Sequence, residues 1–160
     1  MSQLMLVTLV LCLCIGADLS TKALVRETMA GSPPRYYLGG LLRLSHWENA
    51  GTLMSVGDDL SEAARFWGFT VLMGALAVGL IMFIIIRCDL KTWYVIAGSL
   101  IAGGTLSNVI DRLWHAGRVL DFINIVITPL DIMILNLADA EIAFGAAILL
   151  LLAARRLVRH

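Results

Sequence analysis

Long apolar runs alternate with short polar links along this chain. Residues 1–17, 66–86 and 92–110 contain no charged side chain, and a fourth apolar run covers residues 142–154. A helix of about 20 apolar residues crosses the ~30 Å hydrocarbon core of a bilayer. The fourth run reaches that length if its helix begins near Met133. The pattern therefore predicts four transmembrane helices, over about residues 3–26, 66–86, 92–113 and 133–154.

The composition supports a membrane protein over a soluble helical bundle. Apolar residues make up 59% of the chain and charged residues 15%, whereas about a quarter of a soluble domain is charged. The apolar runs leave no amphipathic helix whose polar face could meet water. The first run lacks a basic leader and a small-x-small cleavage site, so we expect a retained helix rather than a cleaved signal peptide.

The basic residues predict how the helices cross the membrane. Short loops rich in Lys and Arg mark the cytoplasmic side. We therefore expect both termini and the link 87–91 to be cytoplasmic, and the segments 27–65 and 112–131 to lie outside. The net charge is zero, which favours no polyanionic partner such as a nucleic acid. The basic residues of the link and the C-terminal tail are Arg87, Lys91, Arg155, Arg156 and Arg159.

The outer segment 27–65 is predicted to hold what little structure lies outside the membrane. Glycine and proline residues divide it into turns. Residues 36–38 and 41–44 are typical of short strands. Asp58 and Asp59 are candidate N-caps of a short helix that comes after them. With no linker or repeat in the sequence, we expect a single membrane-embedded domain over the whole chain.

Three helices carry an aspartate to the same depth. A carboxylate inside a bilayer costs about 2.5–3.5 kcal/mol on insertion scales. With a rise of 1.5 Å per residue, Asp18, Asp111 and Asp139 lie about 25, 30 and 24 Å from the inner ends of their helices. Asp121 belongs to the connection before the last helix and can reach the same level. The four acids are therefore expected to meet near the outer boundary of the hydrocarbon.

Polar companions at the same depth argue against four isolated surface acids at helix ends. We expect Lys22 and Arg112 to pair with two of the acids and to leave two unpaired. Two neighbouring carboxyls in a poorly hydrated site share one proton. One can then take a proton from water while the other donates to a peptide carbonyl, which is the chemistry of aspartic proteases. The companions are Lys22, Asn108, Arg112 and Asn136.

Other chemistries fit the sequence less well. Ser20 and Lys22 are too close in sequence to face each other on a helix, which disfavours a Ser–Lys pair. The histidines His46, His115 and His160 are scattered, and no metal-ligand spacing occurs. A small transporter that uses the acids as a proton relay remains an alternative, although four spans without a repeat are few for one.

Five motifs together resemble the lipoprotein signal peptidase (signal peptidase II) family. Each motif alone is weak, but five in order over about residues 16–145, on four spans of the expected polarity, are specific. The motifs are Asp18-Leu-Ser-Thr-Lys22, Asn49-Ala-Gly51, Asn108-Val-Ile-Asp111-Arg112, Val119-Leu-Asp121-Phe122-Ile123 and Asn136-Leu-Ala138-Asp139.

The resemblance implies a fold and a set of site residues. The fold is an all-α integral membrane protein of four helices, with a small extracytoplasmic β-cradle and a short amphipathic helix. The catalytic pair of the family falls on Asp121 and Asp139. Asp18 and Lys22 resemble structural support. The residues expected to bind substrate or support the site are Asn49, Gly51, Asn108, Asp111, Arg112, Asn136, Asp18 and Lys22.

The resemblance also implies an activity. The enzyme would be an aspartic endopeptidase that removes the signal peptide from diacylglyceryl-modified prolipoproteins, just before the lipidated cysteine of the lipobox. It would be a monomer in the bacterial cytoplasmic (inner) membrane, with its active site near the outer leaflet. Its partners would be membrane lipid and the prolipoprotein, with no metal, organic cofactor or nucleic acid.

Several positions depart from the usual pattern of the family. None of them removes a carboxylate of the expected catalytic pair. They motivate one further alternative, a divergent paralogue that binds lipidated peptides without cleaving them. The departures are Leu19, Leu53-Met54, Ser107, Met133 and Leu135.

Overall fold

Four long helices and one small antiparallel sheet make up the fold, which confirms the expected fold class. The computed structural model describes residues 2–51, 57, 59–126 and 132–158, so Leu53, Met54, Asp58 and the last two residues lie outside the described part. All four helices are long and apolar enough to cross a membrane. In chain order the elements are the first helix Gln3–Met29, β1 Arg35–Tyr37, β2 Leu42–Asn49, the second helix Glu62–Ile86, the third helix Thr92–Trp114, β3 Val119–Val126, β4 Ile132–Leu135 and the fourth helix Leu137–Leu157.

The third helix lies at the centre of the bundle. In its apolar window 56% of the residues are buried, against 17%, 17% and 11% in the first, second and fourth helices. Small residues allow its close contacts. A Cβ atom at Gly104 would lie 2.5 Å from the carbonyl oxygen of Ala138 in the fourth helix, and one at Gly103 would lie 2.8 Å from Cys14 Cβ in the first.

The N-terminus, the link between the second and third helices, and the end of the fourth helix lie together at one end of the bundle. The Gln3 side chain donates hydrogen bonds to the carbonyl oxygens of Ile84 and of Arg87, the latter at 3.0 Å. Arg155 and Asp89 line the same cavity. The four strands occupy the other end, which we call the sheet end.

The sheet has the strand order β1-β2-β3-β4, with every pair antiparallel. The two strands expected near residues 36–38 and 41–44 are confirmed as β1 and the start of β2. Strands β3 and β4 are additional. The fourth helix begins at Leu137 rather than near Met133, because Met133 and Leu135 pair with β3.

The short helix expected before the second span is continuous with that span. Ser61 is its N-cap, since the backbone N–H of Ala64 donates to Ser61 Oγ at 3.2 Å. The predicted cap Asp59 therefore does not begin the helix. The segment Phe66–Leu72 is π-helical, and regular α-helix resumes at Met73.

The sheet packs against the end of the first helix. Val25 and Met29 of that helix form a buried apolar cluster with Leu120 and Phe122 of β3. Alternate residues of a strand point to opposite faces. Because Leu120 and Phe122 face the first helix, the intervening Asp121 faces the other way, toward the third and fourth helices.

We expect Gly104→Ala to destabilise the bundle. The added methyl meets the Ala138 carbonyl, which belongs to the backbone and cannot rotate away. Overpacking of this kind costs about 1–3 kcal/mol, more than the gain of up to about 1 kcal/mol from replacing glycine in a helix. Thermal unfolding in detergent measures the change.

Gly79→Ala is the matched control, because a Cβ atom there meets nothing within 4 Å. Its unfolding temperature should equal or exceed that of the wild type. Equal stability of the two variants would show that the third and fourth helices do not approach as closely as described.

Candidate active site

Asp121 is held on β3 by two amide side chains. Asn49 Nδ2, at the end of β2, donates to Asp121 Oδ2 at 2.7 Å. Asn136 Nδ2, just before the fourth helix, donates to Asp121 Oδ1 at 2.6 Å. Only 3% of Asp121 is exposed. Each carboxylate oxygen is therefore fixed by one donor, and the carboxylate plane is set by residues from two other elements.

Asp139 is held in the first turn of the fourth helix by a reciprocal cap. The Asp139 N–H donates to Asn136 Oδ1 at 3.0 Å, and the Asn136 N–H donates to Asp139 Oδ2 at 3.1 Å. Asn108 Nδ2, from the third helix, donates to Asp139 Oδ1 at 3.0 Å. A capping box of this kind places the carboxylate beside the positive end of the helix dipole.

Asn136 joins the two carboxyl groups. Its side chain donates to Asp121, and its backbone N–H donates to Asp139. Both aspartates line one cavity of about 520 Å³. The structure thus brings together Asn49, Asn108, Asn136 and the two acids in the lining of a single cavity. The rest of the lining is largely apolar and includes Met73, Val109, Leu135, Ile142 and Ala143.

Burial dominates the acid–base behaviour of Asp121. It raises the pKa of this carboxyl from 3.8 to about 6. The hydrogen bonds from Asn49 and Asn136 and the charge of Lys22 oppose the shift, while the charge of Asp139 adds to it. Desolvation disfavours the charged form, whereas amide donors favour it. Asp121 is therefore a carboxyl that gains and loses its proton close to neutral pH.

Lys22 is buried beneath the carboxyl pair. Contacts with three polar side chains offset the cost of burying its charge. Its Nζ lies 2.6 Å from Asp18 Oδ2 and 3.5 Å from Asp111 Oδ2, and all three side chains are fully buried. The same Nζ donates to Asn108 Oδ1 at 2.8 Å. That bond orients the Asn108 amide so that its nitrogen points to Asp139. A buried charge is tolerated when it is paired and hydrogen-bonded in this way.

Asp18 connects the first helix to the third and fourth. Ser107 Oγ donates to Asp18 Oδ2 at 2.6 Å, and the backbone N–H of Ala138 donates to Asp18 Oδ1 at 3.0 Å. Ala138 precedes Asp139, so this bond holds the first turn of the fourth helix. Ser107, one of the departures from the family pattern, thus supplies a donor to a buried carboxylate.

Asp111 holds the backbone next to Asp121, as Asp18 holds the backbone next to Asp139. The backbone N–H of Leu120 donates to Asp111 Oδ2 at 2.9 Å. His115 Nδ1 lies 2.8 Å from Asp111 Oδ1. Because Leu120 directly precedes Asp121, the bond ties the strand position of Asp121 to the third helix.

Among the residues that the structure describes, Arg112 does not form the ion pair with a buried acid that we expected. Its guanidinium donates to the Gly51 carbonyl at 2.7 Å and approaches the Asn108 carbonyl at 3.4 Å. The Gly51 N–H in turn donates to Asn49 Oδ1 at 2.9 Å. Arg112 therefore holds the turn that places Asn49, and it also lines the cavity.

A second cation, Arg26, pairs with Asp111 beside Lys22, and the sequence analysis missed it. Arg26 Nη2 lies 2.8 Å from Asp111 Oδ1. The spacing Asp18, Lys22, Arg26 repeats every four residues and puts all three on one face of a helix. Extending the series by one turn beyond Lys22 could have identified this residue.

We expect Lys22→Met to destabilise the protein by about 3–5 kcal/mol, the usual cost of removing one member of a buried ion pair. The variant leaves Asp18 and Asp111 buried beside each other without their shared ammonium group. Denaturant titration in mixed micelles measures the loss.

Arg118→Met is the control for this loss, since it also removes one positive charge but from an exposed side chain. Its stability should stay within about 0.5 kcal/mol of the wild type, as for most surface substitutions. A Lys22→Met variant as stable as Arg118→Met would contradict the role given to Lys22.

Comparison with known proteins gives the family. A family model described as Signal peptidase (SPase) II matches residues 10–155. The lipoprotein signal peptidase of Leifsonia xyli subsp. xyli is 34% identical over 152 residues, covering 91% of this chain and 66% of the relative. That of Streptomyces griseus subsp. griseus is 31% identical over 143 residues, covering 84% and 66%. The chain thus spans slightly less than two thirds of the length of these relatives.

Solved structures agree with the family match. A bacterial membrane enzyme structure obtained by the in meso method at 2.3 Å resolution has a TM-score of 0.79 and 25% identity, covering 93% of this chain and 87% of that one. A second, at 1.9 Å resolution, has a TM-score of 0.78 and 25% identity, covering 92% and 91%. With four apolar helices, the protein is a multi-pass membrane protein. The chain belongs to the signal peptidase II family, as the five motifs indicated.

Proposed function

We propose that this chain is an intramembrane aspartic endopeptidase that removes the signal peptide from diacylglyceryl-modified prolipoproteins, just before the lipidated cysteine. Residues 1–160 act as one membrane-embedded peptidase domain. The observation that carries the proposal is that Asp121 and Asp139 line one cavity and are joined through Asn136. The relatives named lipoprotein signal peptidase support the choice of substrate.

The first chemical step uses the two carboxyls in different protonation states. The ionised carboxylate takes a proton from a water molecule, and the water oxygen bonds to the carbon of the scissile carbonyl. The protonated carboxyl donates its proton to the carbonyl oxygen. The result is a neutral tetrahedral diol, so the substrate gains no charge inside the apolar cavity.

The second step breaks the carbon–nitrogen bond. The carboxyl that accepted the water proton gives it to the amide nitrogen. The other carboxylate regains a proton from a hydroxyl of the diol. The products are the carboxylic acid of the signal peptide and the free amine of the lipidated cysteine, and the pair again holds one proton.

The remaining polar residues position the pair and do not exchange protons with substrate. Asn49, Asn108 and Asn136 supply the amide donors that fix the carboxylate oxygens. Arg112 holds the turn at Gly51. Fixed donors of this kind keep the reacting groups aligned, which contributes to rate through orientation. The supporting residues below them are Asp18, Lys22 and Asp111.

The apolar part of the cavity suits a lipidated substrate. Met73 from the second helix and Ala140 and Ala143 from the fourth line it beside the acids. We infer that the peptide enters sideways from the membrane and that its acyl chains stay in hydrocarbon. The sheet end then lies at the outer leaflet of the bacterial inner membrane. The basic link and both termini are cytoplasmic, as the positive-inside rule predicts, and the monomer is the working unit.

The non-cleaving paralogue is not favoured by the site. Such a protein would have no need for two buried carboxyls, which are costly in an apolar cavity. Both acids are present here, and described amide donors bind an oxygen of each. Incubation of the purified protein with a lipidated precursor separates the two functions, since the paralogue would bind without cutting.

We expect Asp121→Asn and Asp139→Asn each to reduce cleavage of a diacylglyceryl-modified precursor by at least about 100-fold. Loss of general acid–base catalysis alone removes about 100- to 10,000-fold in rate. The amide keeps the shape of the side chain but cannot exchange the proton. A gel-shift assay on the precursor measures the rate.

Glu27→Gln provides the matched control, because Glu27 is an exposed carboxyl on the first helix. It should cleave at the wild-type rate. Thermal unfolding of all three variants should show that each still folds. Cleavage at the wild-type rate by either aspartate variant would remove the basis of the proposal.

The kcat/KM for cleavage should fall as the pH rises through about 6, the pKa of Asp121. Above this pH Asp121 has lost the proton that it would donate to the carbonyl oxygen. Asn49→Ala should move this basic limb to higher pH, because it removes a donor that favours the ionised form of Asp121. The pH dependence of kcat/KM reports the free enzyme.

The direction of the shift distinguishes this role of Asn49 from a merely structural one. A structural defect would lower kcat/KM at every pH and leave the limb in place. Glu27→Gln should leave both the limb and the rate unchanged. A limb that moves to lower pH in Asn49→Ala would contradict the assignment of Asp121 as the titrating acid.

A further inference from the structure

A second cavity lies at the end of the bundle opposite to the carboxyl pair. Its volume is about 760 Å³, within the range of sites that hold small molecules. The link between the second and third helices forms one wall, and the last turns of the fourth helix form the other. We call it the basic pocket; its polar lining residues are Asp89, Lys91, Tyr94, Arg155 and Arg156.

The basic pocket carries an excess of positive charge. Lys91, Arg155 and Arg156 line it, and within the described part of the chain none of them lies in a salt bridge. The lining acid, Asp89, is bound instead by Arg87, with nitrogen–oxygen distances of 2.9 and 3.0 Å. Three cations from two elements therefore face one cavity whose acid is already neutralised, which favours an anionic ligand.

The position of the basic pocket points to a ligand that is part of the membrane. Its walls are the ends of helices long enough to cross a bilayer. Trp93, in the first turn of the third helix, is 59% exposed, and indole rings concentrate at the membrane–water boundary. Leu90 and Leu152 complete the lining with apolar surface. A phosphate group attached to acyl chains matches both the charge and the apolar wall.

We propose that the basic pocket binds the anionic phosphate headgroup of a phospholipid in the adjoining leaflet. Clusters of Lys and Arg between transmembrane helices bind such headgroups, with about 1 kcal/mol for each cation near the surface. A free phosphate shares the headgroup chemistry but gains nothing from Leu90 and Leu152, so the lipid is the favoured source.

The bound lipid has a consequence for the fold. It bridges the start of the third helix and the end of the fourth. The same two helices carry Asn108 and Asp139, whose side chains meet at 3.0 Å at the sheet end. The lipid is therefore expected to stabilise the helix pair on which that hydrogen bond depends, whatever reaction the site performs.

Binding can be measured on the full chain in neutral detergent micelles. Dioleoylphosphatidylglycerol is titrated in, and native mass spectrometry counts the lipid retained. The double variant Arg155→Gln, Arg156→Gln should bind about 30-fold more weakly, since each cation contributes about fivefold. The lipid should raise the unfolding temperature of the wild type and should not raise that of the double variant.

A matched double variant separates a site from general charge attraction. Arg35→Gln, Arg118→Gln removes two exposed arginines at the sheet end and should bind the lipid like the wild type. Equal losses in the two double variants would overturn the proposal, as would equal binding of dioleoylphosphatidylcholine by the wild type.

Inorganic phosphate, added without lipid, tests the source of the anion. If the lipid stabilises the wild type and phosphate at the same concentration does not, the headgroup assignment holds. Stabilisation of equal size by phosphate, lost in the Arg155, Arg156 variant, would assign the basic pocket to a soluble anion and would reject the lipid.

Discussion

The candidate active site depends on one asparagine, which takes part in a strand end and in a helix cap at once. Asn136 ends the strand pairing of β4 and caps the fourth helix, so its backbone and its side chain both have fixed positions. From there it donates to Asp121 with the side chain and to Asp139 with the main chain. A carboxyl on a strand and a carboxyl on a helix are thereby held against one cavity.

Beneath this bridge, the bilayer imposes a strict condition on charge. A lysine and two aspartates can be buried at this depth only if each is paired, and Lys22 meets the condition for Asp18 and Asp111 together. Each of these two acids also accepts a hydrogen bond from a backbone N–H next to a member of the carboxyl pair. The groups that make burial tolerable are therefore the same groups that position the site.

Much of this arrangement could be predicted from the sequence, because the hydrocarbon of the bilayer restricts which secondary structures a chain can form. A long apolar run in a bilayer must be helical, since its backbone has no water to bond with. Counting residues from the inner ends of the helices then places Asp18, Asp111 and Asp139 at one level, where the structure has them within reach of Lys22 or Asn108.

Two features could not be predicted, because the spacing of apolar and polar residues does not determine them. Residues 132–135 are all apolar, and so short an apolar run is compatible with a strand or with a helix. The predicted fourth helix therefore included residues that form β4. Whether Arg26 or Arg112 pairs with one of the buried acids depends on how each helix is rotated about its axis. The depth of a residue in the membrane can be predicted by counting residues along its helix. The rotation of the helix about its axis depends on how it packs against the others.

The π-helical segment Phe66–Leu72 changes the rotation of the second helix between two positions that both face the site. At this segment the Phe69 ring lies 5.8 Å from the Arg112 guanidinium, and just beyond it Met73 lines the cavity. A π-turn holds more residues than an α-turn, so it rotates the residues on its N-terminal side relative to those on its C-terminal side. The outer portion of the helix and its bilayer-embedded portion can therefore vary in length independently. A single-residue insertion or deletion near this turn would be absorbed locally, without re-aiming the side chains farther down.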